Sequence, residues 1–187
     1  MSVDYLRLAA FVAYLASWLV FAIGAVLKGI PRIQKRAASP VLLKTPVVIG
    51  TILQIAPTMA FSLSIGDGPL RPSRVELAGI LTFALFGSIL FIGAILSVPR
   101  SAGPSTLVTR GVYAWVRHPI YLAFLAMLIA TGLLVSAGRF LTFAIAIYLA
   151  GSELRINSEE EELAETFQGE YDRYRLRTPW RYLPGLR

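Results

Sequence analysis

The chain contains no cysteine and only one histidine, His118, among its 187 residues. The missing cysteines exclude disulfide bonds, thiolate nucleophiles and cysteine-ligated zinc or iron–sulfur centres. A single histidine also leaves no histidine cluster that could hold a metal ion. We therefore expect a function that needs no metal.

Charge is also scarce. Only 16% of the residues are charged, whereas soluble domains have roughly 25%. Hydrophobic residues make up 56% of the chain, and the mean hydropathy is +0.64, which indicates a polytopic membrane protein. Four uncharged runs approach the roughly 20 residues that a helix needs to cross a bilayer core: Leu8–Leu27, Val47–Ile65, Leu77–Pro99 and Pro119–Gly138.

A fifth uncharged run, Phe140–Ser152, is shorter. As a helix it would cover about 20 Å of a hydrocarbon layer that is roughly 30 Å thick, so we predict that it is the buried part of a longer helix. With Pro119–Gly138 it would form a hairpin whose second arm carries Arg155 and Glu159 just outside the apolar layer. The predicted fold is all-α, with about five transmembrane helices, a C-terminal helical hairpin and a cytoplasmic tail.

The run Leu8–Leu27 exceeds a typical signal-peptide core, so we interpret it as a retained first span. With five spans, all but four of the 18 lysines and arginines fall on one side, which the positive-inside rule places in the cytoplasm. Basic loops then explain the net charge of +7 without nucleic-acid binding. We predict one domain over 1–187, with three spans in 1–99 and a cofactor-binding loop, the hairpin and a catalytic tail in 100–187.

Two charged segments flank the predicted hairpin. Arg117-His118-Pro119-Ile120-Tyr121 opens the fourth span, and Pro119 suits the first turn of a helix because its missing N–H is not needed there. Downstream, Arg155 and Glu159 are four residues apart and hence on one helix face. Taken alone, the first segment would fit an interfacial aromatic belt in which Arg117 contacts headgroups, and the second would fit a plain surface ion pair.

Four short motifs occur in a fixed order in the second half of the chain. They are Leu107-Val108-Thr109-x-Gly111-x-Tyr113, Arg117-His118-Pro119-x-Tyr121, Arg155-x-x-x-Glu159-Glu160-x-x-Leu163 and Phe167-x-Gly169-x-Tyr171-x-x-Tyr174. This set resembles the isoprenylcysteine carboxyl methyltransferase and phospholipid methyltransferase superfamily of integral membrane enzymes, which use S-adenosylmethionine. The resemblance covers roughly Leu107 to Pro184, and the first three spans carry no such signature.

The resemblance implies a role for each matching position. Arg155 would face the substrate and, with Glu159, form the catalytic pair. Many members have a histidine at the position of Ser105, a departure that concerns the substrate subgroup more than the cofactor. The residues that the resemblance places at the cofactor are Ser105, Thr106, Leu107, Val108, Tyr113, His118, Pro119, Ile120, Tyr121 and Glu159.

Physical chemistry is compatible with these roles. S-adenosylmethionine carries a sulfonium and an ammonium, which aromatic faces and a carboxylate such as Glu159 can attract. The planar guanidinium of Arg155 suits an anionic or polar acceptor. His118 or Glu160 could be a general base, although we expect Glu160–Glu162 to form a solvated face. Tyr171 and Tyr174 are expected to pack the tail over the pocket.

The sequence therefore predicts a membrane methyltransferase with a lipophilic acceptor and a cytoplasmic active site. The acceptor could be a prenylated cysteine carboxylate, a phospholipid amine, another isoprenoid or lipid headgroup, or a membrane-soluble thiol. Two other classes stay open. One is an NADPH-dependent reductase related to sterol reductases, and the other is a non-enzymatic scaffold or small transporter. The sequence leaves the oligomeric state and the kind of membrane undetermined.

Overall fold

The computed structural model describes residues 3–28, 45–66, 70–99 and 106–182. All regular structure in these ranges is helical, as predicted. Short 3-10 turns cover Ser64–Gly66 and Gly111–Ala114. The α-helices are α1 (Val3–Lys28), α2 (Thr45–Leu63), α3 (Arg74–Ser97), α4 (Pro119–Leu134), α5 (Arg139–Phe167) and α6 (Gly169–Arg177).

The first three helices are long and apolar enough to cross a membrane. They overlap the three N-terminal runs predicted as spans, and α2 and α3 each end two residues before the run does. Many of their large apolar side chains, such as Leu8, Ile52 and Ile89, are exposed on the outside of the bundle. Helix α4 is apolar but has only 16 residues, which correspond to about 24 Å. Membrane-length helices are thus confirmed for three of the five predicted spans.

The fourth and fifth helices are joined by a tight turn. Helix α4 ends before Gly138 because Ser136 adopts a left-handed conformation, with φ +48°, and Ala137 N–H then donates to the carbonyl of Gly132 at 2.9 Å, as in a Schellman cap. Helix α5 runs for 29 residues and includes Phe140–Ser152. The prediction that this short run belongs to a longer helix is therefore confirmed.

The main apolar core lies between α1, α3 and α4. The rings of Phe21 and Phe91 stack with their centres 4.1 Å apart, and Phe124 packs edge-on against Phe21. Two polar contacts also fall within this core: the Tyr14 hydroxyl lies 3.2 Å from Thr131 Oγ1, and Ser17 donates to a carbonyl of α3 at 3.1 Å. Such bonds stabilise helix pairs where no water is present.

A second contact joins α2 to α5 through glycine. A Cβ atom added at Gly50 would lie 2.6 Å from the carbonyl oxygen of Gly151, and one added at Gly151 would lie 2.7 Å from the carbonyl oxygen of Gly50. The two backbones touch directly, which only residues without a side chain allow. This crossing brings Gln54 of α2 beside Ser152 of α5, where the side chains are 2.9 Å apart.

Replacing Gly151 by alanine tests this crossing. The new methyl group would overlap backbone of α2, so we expect the variant to lose about 1–3 kcal/mol of stability, as overpacked cores do, and to unfold at a lower temperature in detergent. Gly169→Ala is the matched control, because nothing lies within 4 Å of a Cβ at that position. Equal unfolding midpoints for Gly151→Ala and Gly169→Ala would contradict the close crossing.

Candidate active site

The predicted charged segments meet where α4 begins. Arg117 and His118 precede Pro119, the first residue of α4, and they lie against Glu159 and Glu160 in the second half of α5. All four charged side chains are buried, with 5–7% of each residue exposed. The structure thus places these residues together in a cluster that is withdrawn from solvent.

His118 lies between the two glutamates. Its Nδ1 is 3.5 Å from Glu159 Oε2, and its Nε2 is 3.2 Å from Glu160 Oε1. Only the protonated ring has an N–H at both positions. Burial lowers the pKa of His118, but the two carboxylates hold it above its ordinary value of 6.5. The arrangement therefore favours an imidazolium that bridges two carboxylates.

Glu160 is bound by cations, and the expectation that it belongs to a solvated face is wrong. Its Oε1 accepts from Arg117 Nε at 2.7 Å, and its Oε2 lies 3.4 Å from Arg181. Burial raises the pKa of Glu160, but the bonds from His118 and Arg117 outweigh burial and hold the pKa at about 2. Glu161, the next residue, is exposed, because successive residues of a helix point about 100° apart.

The C-terminal segment closes one side of the cluster. Arg117 donates through NH1 to the carbonyls of Thr178 and Pro179 at 2.8 and 2.7 Å. The backbone N–H of Arg117 and of His118 donate to the carbonyls of Trp180 and Arg181 at 2.9 and 2.7 Å. The tail therefore forms part of the site and keeps water away from it.

Two tyrosines of α6 support this closure. Tyr171 and Tyr174 are buried, and the Tyr174 hydroxyl donates to the Tyr113 carbonyl at 2.7 Å. Burial and the nearby charge of Glu160 raise the pKa of Tyr171, and burial raises that of Tyr174. Their expected role in packing the tail agrees with this geometry. Burial, with the charge of Glu159, also raises the pKa of Tyr113 to about 12.

Arg155 and Glu159 form more than a surface ion pair. Arg155 NH2 lies 3.4 Å from Glu159 Oε1, the guanidinium lies 5.3 Å above the ring of Tyr121, and the Tyr121 hydroxyl donates to the same carboxylate oxygen. Arg155 NH1 also donates to Gln54 at 2.9 Å. Gln54 is the tenth residue of α2, so Arg155 lies deeper between the helices than the sequence predicted.

Gln54 is a member of the site that sequence reasoning missed. It lies far from the motifs in the chain, within a helix that carries none of them. The available signal was an amide side chain in the middle of an otherwise apolar run, where an unpaired polar group would be costly. Such a residue needs a partner on a neighbouring helix, and here it has two, Ser152 and Arg155.

The other predicted cofactor residues precede the cluster in the chain or open α4. Thr106, Leu107 and Val108 form a half-buried segment before the turn that contains Tyr113. Pro119 is buried, whereas Ile120 is half-buried and packs against the core between α1, α3 and α4. Ser105 lies outside the described residues. The cofactor role of all these positions stays a prediction.

One atom of the cluster has no hydrogen-bond partner among the described residues. Glu159 Oε2 is fully shielded from solvent and makes no hydrogen bond, although it lies within ion-pair distance of His118 Nδ1, at 3.5 Å. A buried carboxylate oxygen without a donor is costly, and it can accept from an ammonium group of a ligand. No group in the described part of the chain has the arrangement of a metal site.

In the described residues, these features define a helical protein of the membrane type with a solvent-shielded cluster of acidic and basic side chains where two helices and a tail meet. Residues 80–165 match the sequence model of the isoprenylcysteine carboxyl methyltransferase family. The matched segment runs from α3 into α5 and includes Arg117, His118, Arg155 and Glu159. The resemblance predicted from the motifs is therefore confirmed for this part of the chain.

Two curated relatives carry the same name. The chain is 38% identical over 76 residues to protein-S-isoprenylcysteine O-methyltransferase of Schizosaccharomyces pombe, across 39% of the chain and 31% of that relative. It is 41% identical over 69 residues to the protein of that name from Saccharomyces cerevisiae, across 37% of the chain and 29% of the relative. The alignments thus span less than a third of each relative's length.

The bridging histidine predicts a pH dependence of stability. Because the pKa of His118 in the folded state lies above 6.5, its ionised form contributes stability fully below pH 6.5, and this contribution is lost as pH rises through the folded-state pKa. We expect the unfolding temperature in detergent to fall as pH rises above 6.5. His118→Gln should flatten this slope, since the chain has no other histidine. Identical slopes for wild type and variant would contradict the imidazolium bridge.

Proposed function

We propose that the chain is an integral membrane methyltransferase that transfers a methyl group from S-adenosylmethionine to a lipophilic acceptor. The observation that carries this proposal is the buried carboxylate of Glu159, which has an oxygen without a hydrogen-bond partner in the described residues and lies beside Tyr121, His118 and Arg155. The family match over residues 80–165 supports it.

The side chains around Glu159 fit the charged groups of S-adenosylmethionine. S-adenosylmethionine supplies an activated methyl group on a sulfonium when it is bound. Glu159 would pair with the ammonium through Oε2, the oxygen that makes no hydrogen bond, and the aromatic faces of Tyr113 and Tyr121 would attract the sulfonium. His118 would hold the carboxylate of Glu159 in place. Thr106, Leu107, Val108 and the first turn of α4 would complete the pocket.

Neither candidate for a general base is suited to that role. His118 has both ring nitrogens directed at carboxylates, and its raised pKa favours the protonated ring, which cannot accept a proton. Glu160, with a pKa of about 2, is held by His118 and two arginines. An acceptor that is already anionic needs no base. The site therefore favours a carboxylate acceptor over an amine or a thiol, which would have to lose a proton.

Arg155 would orient this carboxylate. Its side chain is 27% exposed, whereas that of Glu159 is 8% exposed, so the guanidinium can reach a ligand that enters between the helices. Methyl transfer requires mainly alignment of the acceptor oxygen with the methyl carbon, and holding both partners can supply much of the rate acceleration. The closed tail excludes water, which would otherwise weaken the ionic contacts.

The depth of Arg155 suggests where the acceptor enters. Its guanidinium reaches Gln54, in the middle of a helix of membrane length, so the charged end of an acceptor must pass into the apolar layer. A prenyl chain on the acceptor would offset the cost of moving that charge, because the chain itself leaves water for the apolar layer. By their names, the yeast relatives act on isoprenylcysteine, and we propose a prenylated cysteine carboxylate as the acceptor class for this chain.

The topology is part of the same proposal. We propose one domain with five spans, in which α4 and the first half of α5 supply the fourth and fifth. By the positive-inside rule, the basic loops would then lie in the cytoplasm, and the site would face the same side. The three N-terminal spans would surround the acceptor's hydrocarbon chain, and 100–187 would hold the cofactor and the catalytic pair of Arg155 and Glu159.

Calorimetric titration of the detergent-purified protein tests whether S-adenosylmethionine binds at Glu159. We expect S-adenosylmethionine to bind the wild type and Glu159→Gln to weaken binding by about tenfold or more, since a bond to a charged group is lost. Glu161→Gln is the matched control, because Glu161 is exposed on the same helix, and it should bind as the wild type does.

Other outcomes would contradict the proposal. Binding of NADPH but not of S-adenosylmethionine to folded protein would favour a reductase. Binding of neither would favour a non-enzymatic membrane protein. If Glu159→Gln binds S-adenosylmethionine as tightly as the wild type does, the protein uses this methyl donor but does not bind it at Glu159.

A further inference from the structure

Both the donor and the acceptor end of the Gln54 amide are hydrogen-bonded, although the residue lies within an apolar helix. Gln54 is 7% exposed, its Nε2 donates to Ser152 Oγ at 2.9 Å, and its Oε1 accepts from Arg155 NH1 at 2.9 Å. Gln54 lies before the family match, which begins at residue 80. The contacts join a helix outside the matched segment to the guanidinium of the candidate site.

The orientation of this amide follows from its neighbours. The Ser152 hydroxyl donates its one proton to the Tyr148 carbonyl at 2.9 Å, so its oxygen must accept from Gln54. The NH2 group of Gln54 is thereby directed at Ser152, and its carbonyl oxygen is directed at Arg155. A hydrogen-bonded chain from the backbone of α5 through Ser152 and Gln54 thus fixes where Arg155 NH1 lies.

Gln54 makes a shorter polar contact with the Arg155 guanidinium than Glu159 does. Arg155 NH2 lies 3.4 Å from the Glu159 carboxylate, a long contact, whereas NH1 makes a shorter bond to Gln54. Without Gln54 the guanidinium would lose this shorter bond and would keep the long contact to Glu159 and the contact with the Tyr121 ring, which hold it less firmly. The glycine crossing assists, because a Cβ at Gly50 would lie 2.7 Å from Arg155 Cγ, so only glycine leaves room for the arginine stem.

We propose that Gln54 is a positioning residue that holds the Arg155 guanidinium toward the anionic end of the acceptor. The expected effect on the acceptor rests on the proposed methyltransferase function, whereas the contact between Gln54 and Arg155 does not. Gln54 acts through Arg155, so its loss should affect recognition of the acceptor and not binding of the methyl donor.

The test compares Gln54→Met with Thr51→Val. Methionine keeps the length and approximate volume of glutamine but has neither the amide donor nor the carbonyl acceptor. Thr51 lies one turn earlier on α2 and donates to the Val47 carbonyl at 2.7 Å, so Thr51→Val removes a hydrogen bond of the same helix outside the Arg155 contacts. Equal unfolding temperatures establish that both variants are folded.

The first readout is chemical and needs no activity. Phenylglyoxal modifies arginines that are free to react, and mass spectrometry maps the adducts. We expect the modification rate of Arg155 to rise several-fold in Gln54→Met and to stay at the wild-type value in Thr51→Val. Arg139, which is exposed at the start of α5, provides the internal reference. An unchanged rate at Arg155 would overturn the positioning role.

The second readout is kinetic, with an N-acetylated S-farnesyl cysteine as acceptor. We expect Gln54→Met to raise the KM for the acceptor by about tenfold, the size of one bond to a charged group, with the Kd for S-adenosylmethionine within about twofold of wild type. An unchanged KM together with faster labelling would overturn the link to acceptor recognition. Faster labelling with no methyl transfer by the wild type would support the positioning contact and refute the proposed function.

Discussion

The buried ionic bridge among Arg117, His118, Glu159 and Glu160 is the interaction on which the rest of the site depends. Each of these ions gives up its hydration, and removing one partner of such a pair costs about 3–5 kcal/mol. The cluster therefore stays intact only if α4, α5 and the tail are all in place. Arg117 links these elements directly, because the same guanidinium meets Glu160 and two tail carbonyls.

Helix α5 connects the ionic cluster to the membrane part of the fold. Its apolar first half packs on α2 through the contact between Gly50 and Gly151, and its charged second half carries Arg155, Glu159 and Glu160. One long helix thus sets the distance between the lipid-facing spans and the charges. The same helix lets Gln54, a residue of α2, reach the guanidinium that we propose binds the acceptor.

Much of this arrangement follows from local patterns. Uncharged runs gave the positions of the helices, and the four ordered motifs indicated that His118, Arg155 and Glu159 belong to one site. The burial of Glu160 could not be predicted, because a run of four glutamates has the composition of a solvated face and its partner, Arg117, is 43 residues away. The role of Gln54 could not be predicted, because Gln54 and Arg155 are 101 residues apart in the chain. Their contact also depends on the close approach of α2 and α5 at Gly50 and Gly151.

Transfer of a radiolabelled methyl group tests the central claim most directly. Purified protein in lipid vesicles would receive methyl-labelled S-adenosylmethionine and an S-farnesyl cysteine carboxylate. We predict that label enters the lipid phase as a methyl ester that mild base releases, and that Glu159→Gln abolishes most of the transfer while Glu161→Gln does not. If folded wild-type protein binds both ligands and transfers no label, the buried carboxylate is not part of a methyltransferase site.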